Sequence, residues 1–470
     1  MVIIKPNILF LVIDSLRADQ SLGDSKTSKT PNIDSLIKNG IYFNQTISSS
    51  PSTYMASASI MTRFYPFKAL RNDRTHQKLL SNVVTYVGLL KDFGYHTYAA
   101  IPKAVDLMGI ANDFEDKYAA DFKDLVLSTG FGQKIVEKLE SRKVQEPWIF
   151  YIHITDLHEL ACLPEQFNRD EFGISKYERM ASSLDVWIGK ILQTIPSEKT
   201  IVVLTADHGS EGGIRIPNMK SVNYNKHILD FDQKVYPLLS NTFWFKQSLS
   251  PKLLFFRKNI GKCLRIPKNI LTQIRIVKIN LLKRSPSEKR IHINDLTGTE
   301  DLYDERIRIP LIFSGHKIPK GIIIKQQTRS IDIFPTIADL AGLPKRKDKI
   351  HGISLIPYFQ GKNMEELPAR IESTPKWLKS ISKDQLGSRT SKYKYLRDRD
   401  NPQKNVYLFD LQNDPFEEKN IAKQHPAIVQ KMENILLELN NDSISMNELE
   451  DMNEETVEKI EKELKKLGYI

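Results

Sequence analysis

Three apolar runs in this chain end in residues able to hold a cation. NILFLVI (7–13) leads into Asp14, and PWIFYIHIT (147–155) leads into Asp156 with His158 two positions on. TIVVLTA (200–206) leads into Asp207 and His208. Carboxylate and imidazole together suit a divalent cation, and a mixed oxygen and nitrogen set leaves Zn, Mn, Mg or Ca open, as one ion or two. A fourth stretch, SSSPSTYMASASIMTRFYP (48–66), supplies hydroxyls, with Thr53, Ser57 and Ser59 opening a short helix. A helix start has free N–H groups and a positive dipole end, which suit an anion. Ser and Thr in such places commonly serve only as caps. A cation beside the hydroxyl would lower its pKa and make it a nucleophile. The expectation is that Asp14, Asp207 and His208 hold an ion that also contacts Thr53, and that Thr53 attacks a phosphoryl or sulfuryl ester, with Ser52 as the alternate. His158, with Asp156 beside it, is then a substrate contact, a general acid or a ligand of a second ion.

The apolar runs have the length and branching of buried parallel strands. Helical spacing marks 30–39, 83–92, 177–195 and 332–340, and further strands fall at 41–43, 96–101 and 309–313. This alternation predicts an α/β fold, an open and mostly parallel sheet with helices on both faces, with its site at the carboxyl ends of the strands. After Glu372 the pattern changes to short antiparallel strands at 393–396 and 406–410, then a helix at 426–439 and a charged helix to 467. The expected organisation is a catalytic domain over 1–372 with an insertion at about 214–300, a small α+β subdomain over 373–425, and a helical tail over 426–470.

The net charge of +11 is local. Residues 246–290 carry 13 Lys or Arg and one acid, Glu288, which alone gives +12. Apolar and basic residues alternate there in blocks, as on a surface that lies on an anionic membrane or holds an anionic polymer, or in a solvated lid over the site. No nucleic-acid-binding motif accompanies the charge. Two cysteines, Cys162 and Cys263, exclude a disulfide framework and a cysteine zinc cluster. Residues 1–5 run directly into the first strand, so no signal-peptide pattern is present, and the expectation is a cytoplasmic protein, peripheral at the inner membrane face if the basic segment binds lipid.

Matches in order along the whole chain give these residues a family likeness. They are NILFLVIDSLRAD, TPNIDSLIKNGIYFNQ, SIMTRFYP, DFGYHTYAA, TDLH, LTADHGSEGG, LYDERIRIPLIFSG, SIDIFPTIADLAGLP, HGISLIPYF and LFDLQNDPFEEKNIA. The sequence resembles the sulfatase branch of the alkaline phosphatase superfamily. The resemblance implies that fold, one or two divalent cations, and ester hydrolysis at phosphorus or sulfur. It places Asp14, Asp207 and His208 among the metal ligands and Asp156 and His158 in the substrate or second-metal region. It puts Lys103 near a substrate lysine and His292 near a further histidine upstream of LYDE. Ser15 stands where many sulfatases carry a second aspartate.

The departure is at the nucleophile. Sulfatases proper carry Cys or Ser there, oxidised to formylglycine, with Pro two residues later and Arg four later. This chain has Thr53, Met55 and Ser57. Threonine cannot become formylglycine, so the resemblance points to phosphate or phosphonate esters, on a lipid head group or a glycan. The alternatives are a sulfuric ester hydrolase with an unorthodox nucleophile, a phosphoglycerol or phosphoethanolamine transferase, and a non-catalytic descendant that binds an anion or a membrane. His76, His96, His153, His227 and His351 read as structural or surface residues, His153 because it shares a strand face with Thr155. Arg17 and Asp19 read as an ion pair supporting the first loop, and Asp332 as a helix N-cap.

Overall fold

The computed structural model describes residues 5–19, 22, 26–70, 78–80, 82–141, 143–158, 160–210, 289–290, 301–345, 351–375 and 383–441. The chain divides into one unit of Met1–Gly213 with Gly298–Ile470 and a second of Ile214–Thr297. The second unit spans residues within the insertion expected at about 214–300. It falls outside the described residues except for 289–290, as does most of the basic 246–290 segment, together with His292 and the charged helix after residue 441.

The large sheet holds β1 (Asn7–Ile13), β2 (Gly40–Ile47), β3 (His96–Pro102), β4 (Asp116–Ala120), β5 (Trp148–Ile154), β6 (Thr200–Thr205), β7 (Arg308–Gly315), β8 (Ile322–Ile324) and β9 (Thr328–Arg329). Their order is β4-β3-β5-β1-β6-β7-β2-β8, with β9 also on β2. The run from β4 to β6 is parallel throughout. β7 alone runs antiparallel, against both β6 and β2. A strand buried on both faces shows the same continuous apolar run in either direction, so the sequence does not display this reversal.

Continuous apolar strands imply two cores, because successive side chains point to opposite faces. On β1, Ile8, Phe10 and Val12 enter one core while Leu9, Leu11 and Ile13 enter the other. Ile149 and Tyr151 of β5 and Ile201 and Val203 of β6 share the first core with Tyr54, Met55 and Ile60 of helix Thr53–Thr62. The second core takes Phe150, Ile152 and Val202, together with Ile33 of helix Pro31–Lys38 and Leu184 of helix Lys176–Gln193. A Ser175–Glu178 capping box starts the last of these helices.

The smaller sheet is antiparallel, in the order β10 (Ala369–Glu372), β11 (Gln385–Arg389), β12 (Tyr393–Asp398) and β13 (Tyr407–Asp410), and helix Pro426–Asn441 packs on it through Met432 and Leu436. It begins three residues before the expected boundary at 372, because β10 pairs with β11. The helix expected from residue 83 starts at Tyr86, where the Thr85 hydroxyl accepts from the Gly88 amide. Asp332 sits at the N-cap position but its side chain does not cap. Its carboxylate instead pairs with Arg329 at 2.7 Å and accepts the Ile353 amide at 2.9 Å.

Candidate metal centre and nucleophile

Asp14, His153 and Asp207 follow directly from strand alternation. Each has the parity of the side chains facing helix Thr53–Thr62, and β1 lies between β5 and β6, so the three converge at one end of the sheet. Their ligating atoms all lie within 4.8 Å of one another. His153 Nε2 is 3.3 Å from Asp14 Oδ2 and 3.8 Å from Asp207 Oδ2. His153 is packed, as its strand position implies, and what it packs against is two carboxylates.

His208 approaches from the other side, with Nε2 3.6 Å from Asp207 Oδ2 and 3.1 Å from Thr53 Oγ1. Its Nδ1 lies 2.7 Å from the Gly209 carbonyl. A carbonyl only accepts, so Nδ1 carries a hydrogen, and the ring is held with Nε2 toward the cluster. The loop is held by the Gly209 amide, which donates to the Arg306 carbonyl at 2.7 Å. A Cβ at Gly209 would come within 2.1 Å of the Glu305 carbonyl oxygen, so glycine is required by that close approach. Ser48 secures the same loop, its hydroxyl donating to the Asp207 carbonyl at 2.6 Å.

Thr53 is the first residue of its helix, and its hydroxyl donates to Asp14 Oδ2 at 3.3 Å. Ser52, in the N-cap position, makes no side-chain cap bond, and its buried hydroxyl has no hydrogen-bond partner among the described residues. The capping role open to these hydroxyls is thus not the one they fill. Ser57, where the resemblance expects arginine, is fully buried against Tyr151.

Two carboxylates buried side by side repel each other. Burial, and then the Asp14 charge, push the Asp207 pKa up. Burial also works to raise Asp14, but the His153 hydrogen bond and the His158, His208 and His153 charges outweigh it and hold Asp14 well below the usual carboxylate range. Asp207 Oδ2 is buried without a hydrogen-bond partner among the described residues. Two close carboxylates, one orphaned oxygen and two imidazoles form a donor set that fits a divalent cation, which would supply the missing positive charge.

Asp156 falls on the opposite parity and goes elsewhere. It is fully buried, and its Oδ2 accepts the Leu127 amide at 2.8 Å, so it anchors the 122–129 segment. Burial pushes its pKa up to about 7. With the folded pKa above the unfolded carboxylate value of about 4, stability is lost as pH rises between the two. Asp156→Asn keeps an acceptor for Leu127 and removes the charge. Its melting temperature relative to wild type is expected to climb from pH 4 to pH 7 and then level off; thermal melts across that range would show a flat difference if the carboxyl were not buried and protonating. His158 is exposed, with its ring 4.8 Å from that of Phe122, and its charge still reaches Asp14. Lys103 is exposed at the start of helix Lys103–Leu107. Arg17 and Asp19 form the expected pair at 2.7 Å.

Comparison with known proteins places this architecture. The sulfatase family model matches residues 6–343, and the model described as N-sulphoglucosamine sulphohydrolase, C-terminal, matches residues 299–443. Arylsulfatase K of Gallus gallus is 31% identical over 141 residues, 29% of this chain and 26% of that protein, so the match spans about a quarter of that relative. Choline-sulfatase of Rhizobium meliloti (strain 1021) is 22% identical over 449 residues, 89% of this chain and 83% of that protein. The phosphonate monoester hydrolase of Agrobacterium radiobacter shares the fold with a TM-score of 0.64 at 15% identity, over 93% of this chain and 95% of that one. The chain belongs to the sulfatase family, within the alkaline phosphatase superfamily.

Proposed function

We propose that the chain is a metal-dependent ester hydrolase in which Thr53 attacks phosphorus in preference to sulfur. The observation that carries this reading is the placement of Thr53 Oγ1, at a helix start and 3.1–3.3 Å from His208 and Asp14. Asp14, Asp207 and His208 would hold the cation. When bound there, it lowers the hydroxyl pKa and neutralises charge on the transferring group. Asp14 Oδ2 orients the Thr53 hydroxyl by accepting its hydrogen. The Thr53 hydroxyl proton passes to solvent as its oxygen bonds to phosphorus and the bond from phosphorus to the leaving oxygen breaks, and the free amides of the first helical turn suit the anionic group. His158 protonates the departing oxygen. Water then attacks phosphorus, the Thr53–phosphorus bond breaks, and the hydroxyl is restored; an alcohol in place of water would make the reaction a transfer.

The substrate in this reading is an anionic ester on a lipid head group or a glycan, with Lys103 as a further contact. The +12 segment 246–290 attracts it or docks the chain on an anionic leaflet, where each basic residue contributes ~1 kcal/mol. Among the described residues no helix is long and apolar enough to cross a membrane. Side-by-side assay on a phosphate monoester, a phosphodiester, a phosphonate ester and an aryl sulfate tests the reading. One of the phosphorus substrates is expected to turn over fastest, with Thr53 found unmodified by mass spectrometry. Faster cleavage of the sulfate would favour a sulfuric ester hydrolase. Liposome binding with neither turnover nor stoichiometric metal would favour a non-catalytic descendant.

A further inference from the structure

We infer that His153 is itself a ligand of the cation and that it makes the site select a late first-row ion such as Zn²⁺ over Ca²⁺ or Mg²⁺. This rests on the metal-dependent reading above and adds a residue that the family resemblance does not supply. Donor atoms that share one small ion at about 2.0–2.1 Å stand roughly 3 Å apart. The side chains here already have that spacing: Thr53 to His208 is 3.1 Å, Thr53 to Asp14 is 3.3 Å, and His153 to Asp14 is 3.3 Å. The His208 and His153 nitrogens lie 3.6 and 3.8 Å from Asp207 Oδ2, outside hydrogen-bond range of an oxygen that has no partner among the described residues. The ligating atoms of Asp14, His153 and Asp207 all lie within 4.8 Å of one another, close enough to share one ion.

The second nitrogen of His153 supports the assignment. Its Nδ1 is 3.4 Å from the Tyr151 hydroxyl, a fully buried group on the same strand face. That hydroxyl is an outer partner of the kind that orients a ligating histidine, with Nε2 on the side of the carboxylates. Ca²⁺ and Mg²⁺ take oxygen ligands, whereas imidazole suits zinc and its neighbours. Two imidazoles against two carboxylates and a hydroxyl therefore favour the later metals.

The test is metal binding by the full chain, stripped with chelator and reloaded with Zn²⁺, Mg²⁺ or Ca²⁺, read by elemental analysis and competition titration. Wild type is expected to retain one or more equivalents of Zn²⁺, with Zn²⁺ affinity at least about 10²-fold above that for Ca²⁺ or Mg²⁺. His153→Ala is expected to weaken Zn²⁺ by about 10²-fold or more with little change for Ca²⁺, and His153→Asp to move the preference toward Ca²⁺. Tyr151→Phe should weaken Zn²⁺ by about 10-fold, as loss of an outer partner does. His153→Gln covers the case in which the alanine variant does not fold. Co²⁺-loaded protein gives a second readout, since losing a nitrogen ligand shifts its visible absorption. Unchanged Zn²⁺ affinity and Co²⁺ spectrum in a folded His153 variant, or a wild type that prefers Ca²⁺, would overturn the inference, while loss of metal in Asp207→Ala would leave the metal-dependent reading standing. A wild type that binds none of the three ions would overturn both.

Discussion

Thr53→Ala is expected to lower kcat/KM on a phosphorus ester by about 10³-fold or more while the chain stays folded. Loss of a covalent nucleophile removes the step itself rather than one contact in it, so the effect exceeds the ~3–4 kcal/mol of a single well-placed donor. The structural cost is small by comparison. Thr53 is at the first helical position, where its side chain closes no cap, and its two hydroxyl contacts are long, at 3.1 and 3.3 Å. Truncation there is expected to cost about 1 kcal/mol of stability. Thr53→Ser keeps the oxygen and should retain measurable turnover, whereas Ser52→Ala, which removes a buried hydroxyl outside the Asp14–His208 pair, should leave turnover near wild type. The diagnostic measurement is a burst of labelled phosphoryl enzyme under single-turnover conditions. Wild type should show it on Thr53 and Thr53→Ala should not. Wild-type rates in Thr53→Ala would end the assignment, and loss of turnover in Ser52→Ala alone would move the nucleophile by one residue.

Much of this site was legible before any coordinates. Asp14, Asp207 and His208 stand immediately after apolar runs, and strand ends are where open α/β sheets place their sites. His153 was not legible for a specific reason. Alternation correctly puts it on one face with Tyr151 and Thr155, but sequence does not state that β1 comes between β5 and β6, and only that neighbour order sets His153 against Asp14. The same parity argument separates Asp156 from the site: it lies one step out of phase with His153 and Thr155, and its carboxylate turns to the Leu127 amide. Adjacent acid and histidine at 156 and 158 resemble a ligand pair, yet only His158 reaches the site, and that through its charge on Asp14. The direction of β7 was hidden because a strand buried on both faces carries no sign of its polarity. The role of Asp332 was hidden because its partner, Arg329, satisfies it through an ion pair that N-cap statistics do not anticipate. In each case what was missing was tertiary adjacency rather than local chemistry.

Removal of the cation is expected to abolish turnover and to lower the melting temperature, and Asp207→Asn is expected to separate the two effects. Asp14 and Asp207 are fully buried, with histidines to offset them among the described residues, and burial and then the Asp14 charge push the Asp207 pKa up. A bound ion removes that repulsion. An ion present at a thousand times its Kd stabilises by about 4 kcal/mol, enough to move a melt by several degrees. Chelation of wild type should therefore cost that stability and all activity, both returning when metal is restored. Asp207→Asn removes one ligand charge and, with it, the carboxylate repulsion. The variant should bind metal at least 10²-fold more weakly and lose about 10³-fold or more in turnover, and its melt should fall by much less than that of wild type when chelator is added. In the absence of metal it should melt no lower than chelated wild type, and higher if repulsion dominates over the altered hydrogen bonds to the Ser15 and His208 amides. A simple loss of packing would instead lower the melt of the variant in every condition, with or without metal. Thermal melts of both proteins, with chelator and with excess cation, distinguish the two outcomes in one experiment. A wild-type melt indifferent to chelator, together with full metal retention by Asp207→Asn, would remove the cation from this site.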